Sequence, residues 1–172
     1  PITELELEKV CRGPLTPVPN EYSWGTTEIA SSPYTLSNSG ANSENIDSNY
    51  STTAGNVAMG YTTPYGGIIN GPVRVGIFAG NNINTGRVSS GAAYYGIMEV
   101  TGNLWERTIT AGKPAGRGFI GTNGNGLLSP AGNADVLLWP GTDAAGSGSR
   151  SGYWRDVGTY LRISNRGFAT IA

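Results

Sequence analysis

Glycine, proline and small polar residues recur so densely after residue 13 that no apolar stripe persists long enough for a second substantial helix. With 27 glycines and 10 prolines among 172 residues, turns and irregular chain take an unusually large share, which excludes a helical bundle. The length suits a single domain, residues 1–172, with one useful core. No stretch approaches the roughly 18 consecutive apolar residues of a membrane span, so none is expected.

The side chains that are missing narrow the chemistry. Without histidine the chain lacks the commonest general base and the commonest ligand for zinc, copper and non-haem iron. Cys11, the single cysteine, cannot form an internal disulfide, a redox pair or a two-thiolate metal site, and its flanks predict a buried helix residue. The net charge of -1 offers no long-range attraction to polyanions, so no nucleic-acid partner is expected. Residues 1–60 are net acidic, whereas residues 61–172 are net basic and carry Arg150, Arg155, Arg162 and Arg166 close together.

Thr3 and Glu6 have the spacing of a capping box, which predicts a first helix with Leu5, Leu7, Val10 and Cys11 as its apolar positions. Gly13-Pro14 ends it. Residues 31–56 read as a long surface loop, containing the glycosylation triplet Asn49-Tyr50-Ser51. Alternation at Val73, Val75 and Ile77 predicts a short extended segment, and Tyr94 to Ile109 reads as strand, tight turn at Thr101-Gly102-Asn103, strand. Val136 to Trp139 is the expected apolar anchor of a glycine-rich stretch, and Tyr160 to Ser164 a last extended piece. Trp24, Trp105 and Trp139 are expected in the core. Gly146 to Ser149 lacks the lysine and the strand–helix context of a phosphate loop.

Three segments in order resemble the formylglycine-generating enzyme family, or sulfatase-modifying-factor domain, which has an α+β, C-type-lectin-like fold. Pro1-Ile2-Thr3-Glu4-Leu5-Glu6-Leu7-Glu8-Lys9-Val10-Cys11-Arg12-Gly13 with Tyr22-Ser23-Trp24-Gly25 is similar to its P-T-E-A-E-W-E-x-A-x-R-G and Y-P-W-G motifs. Tyr95 to Glu106 resembles the hallmark G-L-x-D-M-x-G-N-V-W-E. Arg150-Ser151-Gly152-Tyr153-Trp154 with Leu161 to Arg166 is similar to R-G-G-S-W…L-R-V-S-D-R. The likeness starts at the helix after the family's opening strands and stops before its closing strand. It therefore implies a loop-rich copy shortened at both ends, with sheet edges for a neighbouring subunit to cover.

The family's thiol-oxidising members bind copper(I) through two cysteines, whose places fall near Asp156 and Leu161 here. The resemblance therefore implies no copper and no catalytic residue. It does imply a structural Ca²⁺ held by Glu99, the carbonyls of Gly102 and Leu104, and Glu106, since a hard cation takes several oxygens. Read by itself, Glu106 equally suits pairing with an arginine or capping backbone amides. A second family calcium loop falls within residues 42–68, without assignable ligands. Tyr153, Trp154, Arg155, Asp156, Tyr160 and Arg162 are the candidate ligand-binding residues, as aromatic and charged groups near the basic C-terminal end. Arg162 and Arg166 suit either a bidentate grip on an anionic sugar or carboxylate, or the bracing of loops.

A non-catalytic binding or assembly domain, extracellular or on a cell or virion surface, is the expected function. Its partners would be further copies of itself, another protein or a glycan. It would be a filament or virion subunit, an adhesin, or a receptor-binding protein diversified at Tyr153, Arg155, Asp156, Val157, Thr159 and Tyr160. The alternatives are an atypical oxidoreductase of the formylglycine-generating type and a cell-envelope scaffold lipoprotein of motility or secretion machinery.

Overall fold

A computed structural model describes residues 2–30, 32–60, 71–122 and 124–171. The fold is mixed α+β with few helices and small sheets. In chain order the elements are β1 (Ile2–Thr3), α1 (Glu4–Arg12), β2 (Thr35–Ser37), β3 (Asn45–Ser48), β4 (Glu106–Ile109), α2 (Pro114–Arg117) and β5 (Ser147–Arg150), then a 3-10 turn at Gly158–Leu161. The described residues gather into two compact units, the first from residues 1–7, 107–150 and 166–172, the second from 8–106 and 151–165.

The capping box forms as expected: the Thr3 amide donates to Glu6 Oε2 at 2.7 Å and the Glu6 amide to Thr3 Oγ1 at 3.2 Å. Glycine at residue 13 takes φ +60°, and its amide closes the helix end on the Lys9 carbonyl at 2.8 Å. The helix is phased differently from the expected stripe. Glu4, Leu7 and Cys11 are buried, while Leu5 is 73% exposed. A carboxylate takes an inward position because it has charged partners there.

Those partners build the first unit. Its sheet has the order β1-β4-β5, with β1 parallel to β4 and Ile2 opposite Thr108. β5 is buried along its whole length although it reads Ser-Gly-Ser-Arg. Arg150 Nη1 lies 3.0 Å from Glu4 Oε1 and Arg166 Nη1 lies 3.2 Å from Glu4 Oε2, with Glu4 and Arg150 almost wholly out of water. The Ala111 amide also donates to Glu4 Oε2 at 3.1 Å. Two cations and an amide thus offset the desolvation of one carboxylate. The expected anchor at Val136 to Trp139 does not form: Leu137 and Leu138 are exposed, and Trp139 is half-buried edge-on to Phe119 at 5.3 Å.

The second unit holds the larger apolar core. Tyr34, Ile46, Ala58, Val73, Ile77 and Phe78 pack in one cluster, and Tyr22, Trp24, Val57, Met59 and Leu161 in another. The expected loop at 31–56 contains an antiparallel hairpin, β2 with β3, in which Leu36 faces Ile46. Only Ile46 of that hairpin is fully buried, too weak an apolar pattern to announce a strand. Two other expected strands are absent: residues 94–100 form turns, and Gly158–Leu161 is a 3-10 turn that buries Leu161 alone. Val73 is buried, but Val75 is exposed because the chain turns there.

With so few ladders, side chains satisfy the buried backbone. The Asn56 amide, 1% exposed, donates to the carbonyls of Ser51 and Ser89, both at 2.7 Å. Its Oδ1 accepts from the Ser51 amide at 2.9 Å and the Tyr34 hydroxyl at 3.1 Å. Arg87 works similarly, donating to the carbonyls of Cys11 and Ser23, both at 2.8 Å. Replacing Asn56 by alanine takes a hydrogen bond from four polar groups, of which the Ser89 carbonyl keeps the Tyr50 hydroxyl, so Asn56→Ala should cost about 3–5 kcal/mol in a urea melt. Exposed Asn42→Ala should stay within about 0.5 kcal/mol.

Candidate functional site

The hallmark turn and the C-terminal aromatic segment meet in the second unit, held by backbone bonds. Asn103 is the tether. Its amide donates to the Ala58 carbonyl at 3.0 Å, and its own carbonyl accepts from the Trp154 amide at 3.0 Å. Its side chain grips one residue from both sides, with Oδ1 accepting from the Val73 amide at 2.8 Å and Nδ2 donating to the Val73 carbonyl at 3.2 Å. One position away, the Gly102 amide donates to the Ser151 carbonyl at 2.9 Å. Asn103 and Gly102 achieve this at φ +57° and +71°, a region that asparagine tolerates and glycine enters freely.

Four of the six expected ligand-binding residues come together, and Trp105 joins them. The Trp105 and Tyr153 rings are 4.6 Å apart, and Tyr153 meets Trp154 edge-on at 5.9 Å. The Arg155 guanidinium lies over the Trp154 ring, 5.6 Å from its centroid. Asp156 Oδ2 accepts from the Trp105 indole and from the Tyr153 amide, both at 3.1 Å. Burial pushes the Asp156 carboxyl up, against the pull of these two hydrogen bonds. Trp105, expected in the core, is 36% exposed, because its indole N–H is held at the surface by Asp156. Trp24 is in the core as expected.

Tyr160 and Arg162 have other surroundings. Tyr160 is exposed on the 3-10 turn, and its amide donates to the Val157 carbonyl at 2.9 Å. Arg162 Nη1 donates to Asn20 Oδ1 at 3.2 Å, which makes it a brace between segments. Leu161, near which the resemblance would put the family's second cysteine, is fully buried among Tyr22, Trp24, Val57 and Met59.

The four expected calcium ligands differ in setting. Glu99 is buried at φ +53°, a conformation that carries a strain of order 1–3 kcal/mol in a non-glycine residue. Its Oε2 accepts from the Gly76 amide at 2.7 Å, while Oε1 is buried with no hydrogen-bond partner among the described residues. Burial pushes Glu99 up, opposed by that amide and by Arg74. Glu106 is half-buried at the start of β4 and is pushed up by burial, with no offsetting cation among the described residues. Gly102 is buried, Leu104 exposed. Among the described residues no three acidic or cysteine side chains converge as a metal cluster, and the expected set has only two carboxylates. Residues 61–68 of the expected second calcium loop lie outside the described residues.

No family model, no curated protein and no solved structure matches the chain.

Glu99, Glu106 and Asp156 all hold their protons more tightly folded than unfolded. Such groups stabilise the fold below the ordinary carboxylate range, and that stability is lost as pH rises through the raised folded values. Glu6, held down by the Thr3 amide and hydroxyl, acts in the opposite sense at the surface. In a chelating buffer the melting temperature should therefore fall as pH rises above the ordinary carboxylate range. The Glu99→Gln, Glu106→Gln double variant should flatten that slope; an unchanged slope would remove both carboxylates as its source.

Proposed function

We propose that this chain is a non-catalytic binding domain of the C-type-lectin-like, formylglycine-generating-enzyme type, displayed outside the cell or on a cell or virion surface. The observation that carries this reading is the cluster of Trp105, Tyr153, Trp154, Arg155 and Asp156, half-exposed yet fastened to a buried scaffold through Asn103. Aromatic and guanidinium groups of this kind dominate recognition surfaces, the aromatics because they carry large contact area at low entropic cost and arginine because its planar fork stacks and donates. The partner is a protein, a second copy of the chain or a glycan. The absence of a thiol at Asp156 and the deep burial of Leu161 argue against the copper oxidation of the resembled family.

Binding should be measured on a glycan array, on immobilised cell-surface protein fractions and, for self-association, by analytical ultracentrifugation. Trp105→Ala and Arg155→Ala should each weaken the detected interaction at least about tenfold while leaving the melting temperature within a few degrees. Retention of full binding by both variants would count against this surface. Conversion of a cysteine peptide to its aldehyde by the copper-supplied chain would replace the reading with the oxidoreductase alternative.

Calcium belongs to the same proposal. Glu99 and Glu106 are carboxylates in desolvated settings, and the orphaned Glu99 Oε1 suits a cation, with the Gly102 and Leu104 carbonyls as the remaining protein ligands. A bound cation would neutralise two charges and brace the turn that carries Asn103. Calcium should raise the melting temperature at pH 7.5 by several degrees and by much less near pH 5, where protons compete. Indifference to calcium and chelator at both pH values would remove Glu99 and Glu106 as ligands.

A further inference from the structure

The glycine-rich stretch of the first unit encloses a cleft of about 590 Å³, within the roughly 300–1,000 Å³ of small-molecule sites. Pro114 and Ala115 of α2 line it, together with Asn133 and the run from Leu138 to Asp143. Among the described residues Asp143 is the only charged one in this lining. The Trp105 surface belongs to the second unit and contributes nothing here.

Trp139 has a setting in this cleft that its apolar run did not announce. Phe119 braces the indole edge-on at 5.3 Å but is not part of the lining, which leaves half-buried Trp139 as its one aromatic side chain. Leu138, just before it, sits at φ +67°, a conformation that costs about 1–3 kcal/mol in a non-glycine residue. Such strain clusters where the surrounding structure holds a group in place for a ligand.

The polar groups are divided between two side chains. Asn133 Oδ1 accepts from the Thr142 amide at 2.8 Å, and Asp143 Oδ1 accepts from the Ala145 amide at 3.0 Å. These bonds decide which atoms are left over. The Asn133 amide nitrogen can only donate and Asp143 Oδ2 can only accept, and neither has a hydrogen-bond partner among the described residues. Both side chains reach one place: a Cβ at Gly141 would stand 2.9 Å from Asn133 Oδ1 and 3.5 Å from Asp143 Oδ1. Glycine at 141 leaves that place unfilled.

One aromatic ring, one donor and one acceptor select a ligand class. A hydroxyl both gives and takes hydrogen bonds, so neighbouring hydroxyls of one ligand satisfy Asn133 and Asp143 together. An organic cation would suit Trp139 and Asp143 but would offer no acceptor to the Asn133 N–H groups. An anion would meet Asp143 with like charge. We propose that this cleft binds a neutral hexopyranose, with the C–H face of the sugar ring on the Trp139 indole and adjacent hydroxyls on Asn133 Nδ2 and Asp143 Oδ2. The indole face is negative by its quadrupole and attracts polarised C–H groups. Protein side chains make every one of these contacts, so no cation is needed.

The full chain should be titrated with the methyl glycosides of glucose, galactose, mannose and N-acetylglucosamine by saturation-transfer NMR in the presence of a chelator, with choline and cyclohexanol in parallel. Saturable binding of at least one glycoside is expected, with choline and cyclohexanol each weaker by about tenfold or more. Asp143→Asn and Asn133→Asp keep the oxygen that holds the neighbouring amide and exchange only the atom offered to the ligand. Each should weaken the glycoside by about tenfold or more with an unchanged circular dichroism spectrum, and Trp139→Ala should weaken it at least as much. No saturable glycoside binding by the folded chain overturns the site. Choline binding as tightly as the glycoside overturns it in favour of a cation site, and normal binding by both polar variants overturns the roles of Asn133 and Asp143. Binding that survives Trp139→Ala and Asp143→Asn but falls in Trp105→Ala lies on the other surface; it overturns the cleft and leaves the reading of that surface intact.

Discussion

Every buried backbone amide and carbonyl needs a partner, and a chain interrupted so often by glycine and proline forms few ladders to supply them. In the second unit the deficit is met by amide and guanidinium side chains. Asn56 makes four hydrogen bonds from a site sealed from water, Asn103 clasps residue 73 at both ends, and Asn81 links its Nδ2 to the Ile46 carbonyl at 2.9 Å. Arg87 and Arg74 reach carbonyls in segments far away in sequence. Each such bond contributes only about 1 kcal/mol net, but an orphaned buried group costs more, so the bonds specify loop conformation more than they add stability. The recognition surface depends on this bracing because the Trp154 amide hangs from Asn103 itself.

The first unit meets the same constraint with charge. Its buried strand β5 offers almost no hydrocarbon, and the Glu4, Arg150 and Arg166 triad occupies the place that aliphatic packing would otherwise take. Such a triad is weak evidence of net stability, since desolvation offsets much of the attraction, yet its geometry admits few alternatives. It also explains the helix phase: an acid in the first turn faces inward and its leucine neighbour outward. Acids are favoured there by the helix dipole as well.

What could be read in advance was local. The capping box, the glycine stop, buried Cys11 and core Trp24 follow from spacing and composition within a few residues, and all are observed. The aromatic segment from Tyr153 to Asp156 was also visible as a group. What failed depended on distant partners. Glu4 became inward through partners 107 and more positions away. Trp105 became a surface residue through Asp156, 51 positions on. The hairpin of β2 and β3 has a polar face with one deeply buried aliphatic, so its alternation is lost among serines and asparagines. Tyr160 to Ser164 alternates like a strand but is spent on a tight turn around Leu161. The bracing role of Asn103 had a signal in its glycine-asparagine turn, whereas that of Arg87 had none.

The interleaving of the two units in sequence governs the order in which the molecule can assemble. In chain order most of the second unit precedes residues 107–150 of the first, but its cluster around Leu161 closes only once residues 151–165 have been made. The first unit waits longer still, because Glu4 must hold its charge open until Arg150 and then Arg166 arrive. Pairings between segments so far apart in sequence raise the contact order, and loop-closure entropy then slows folding.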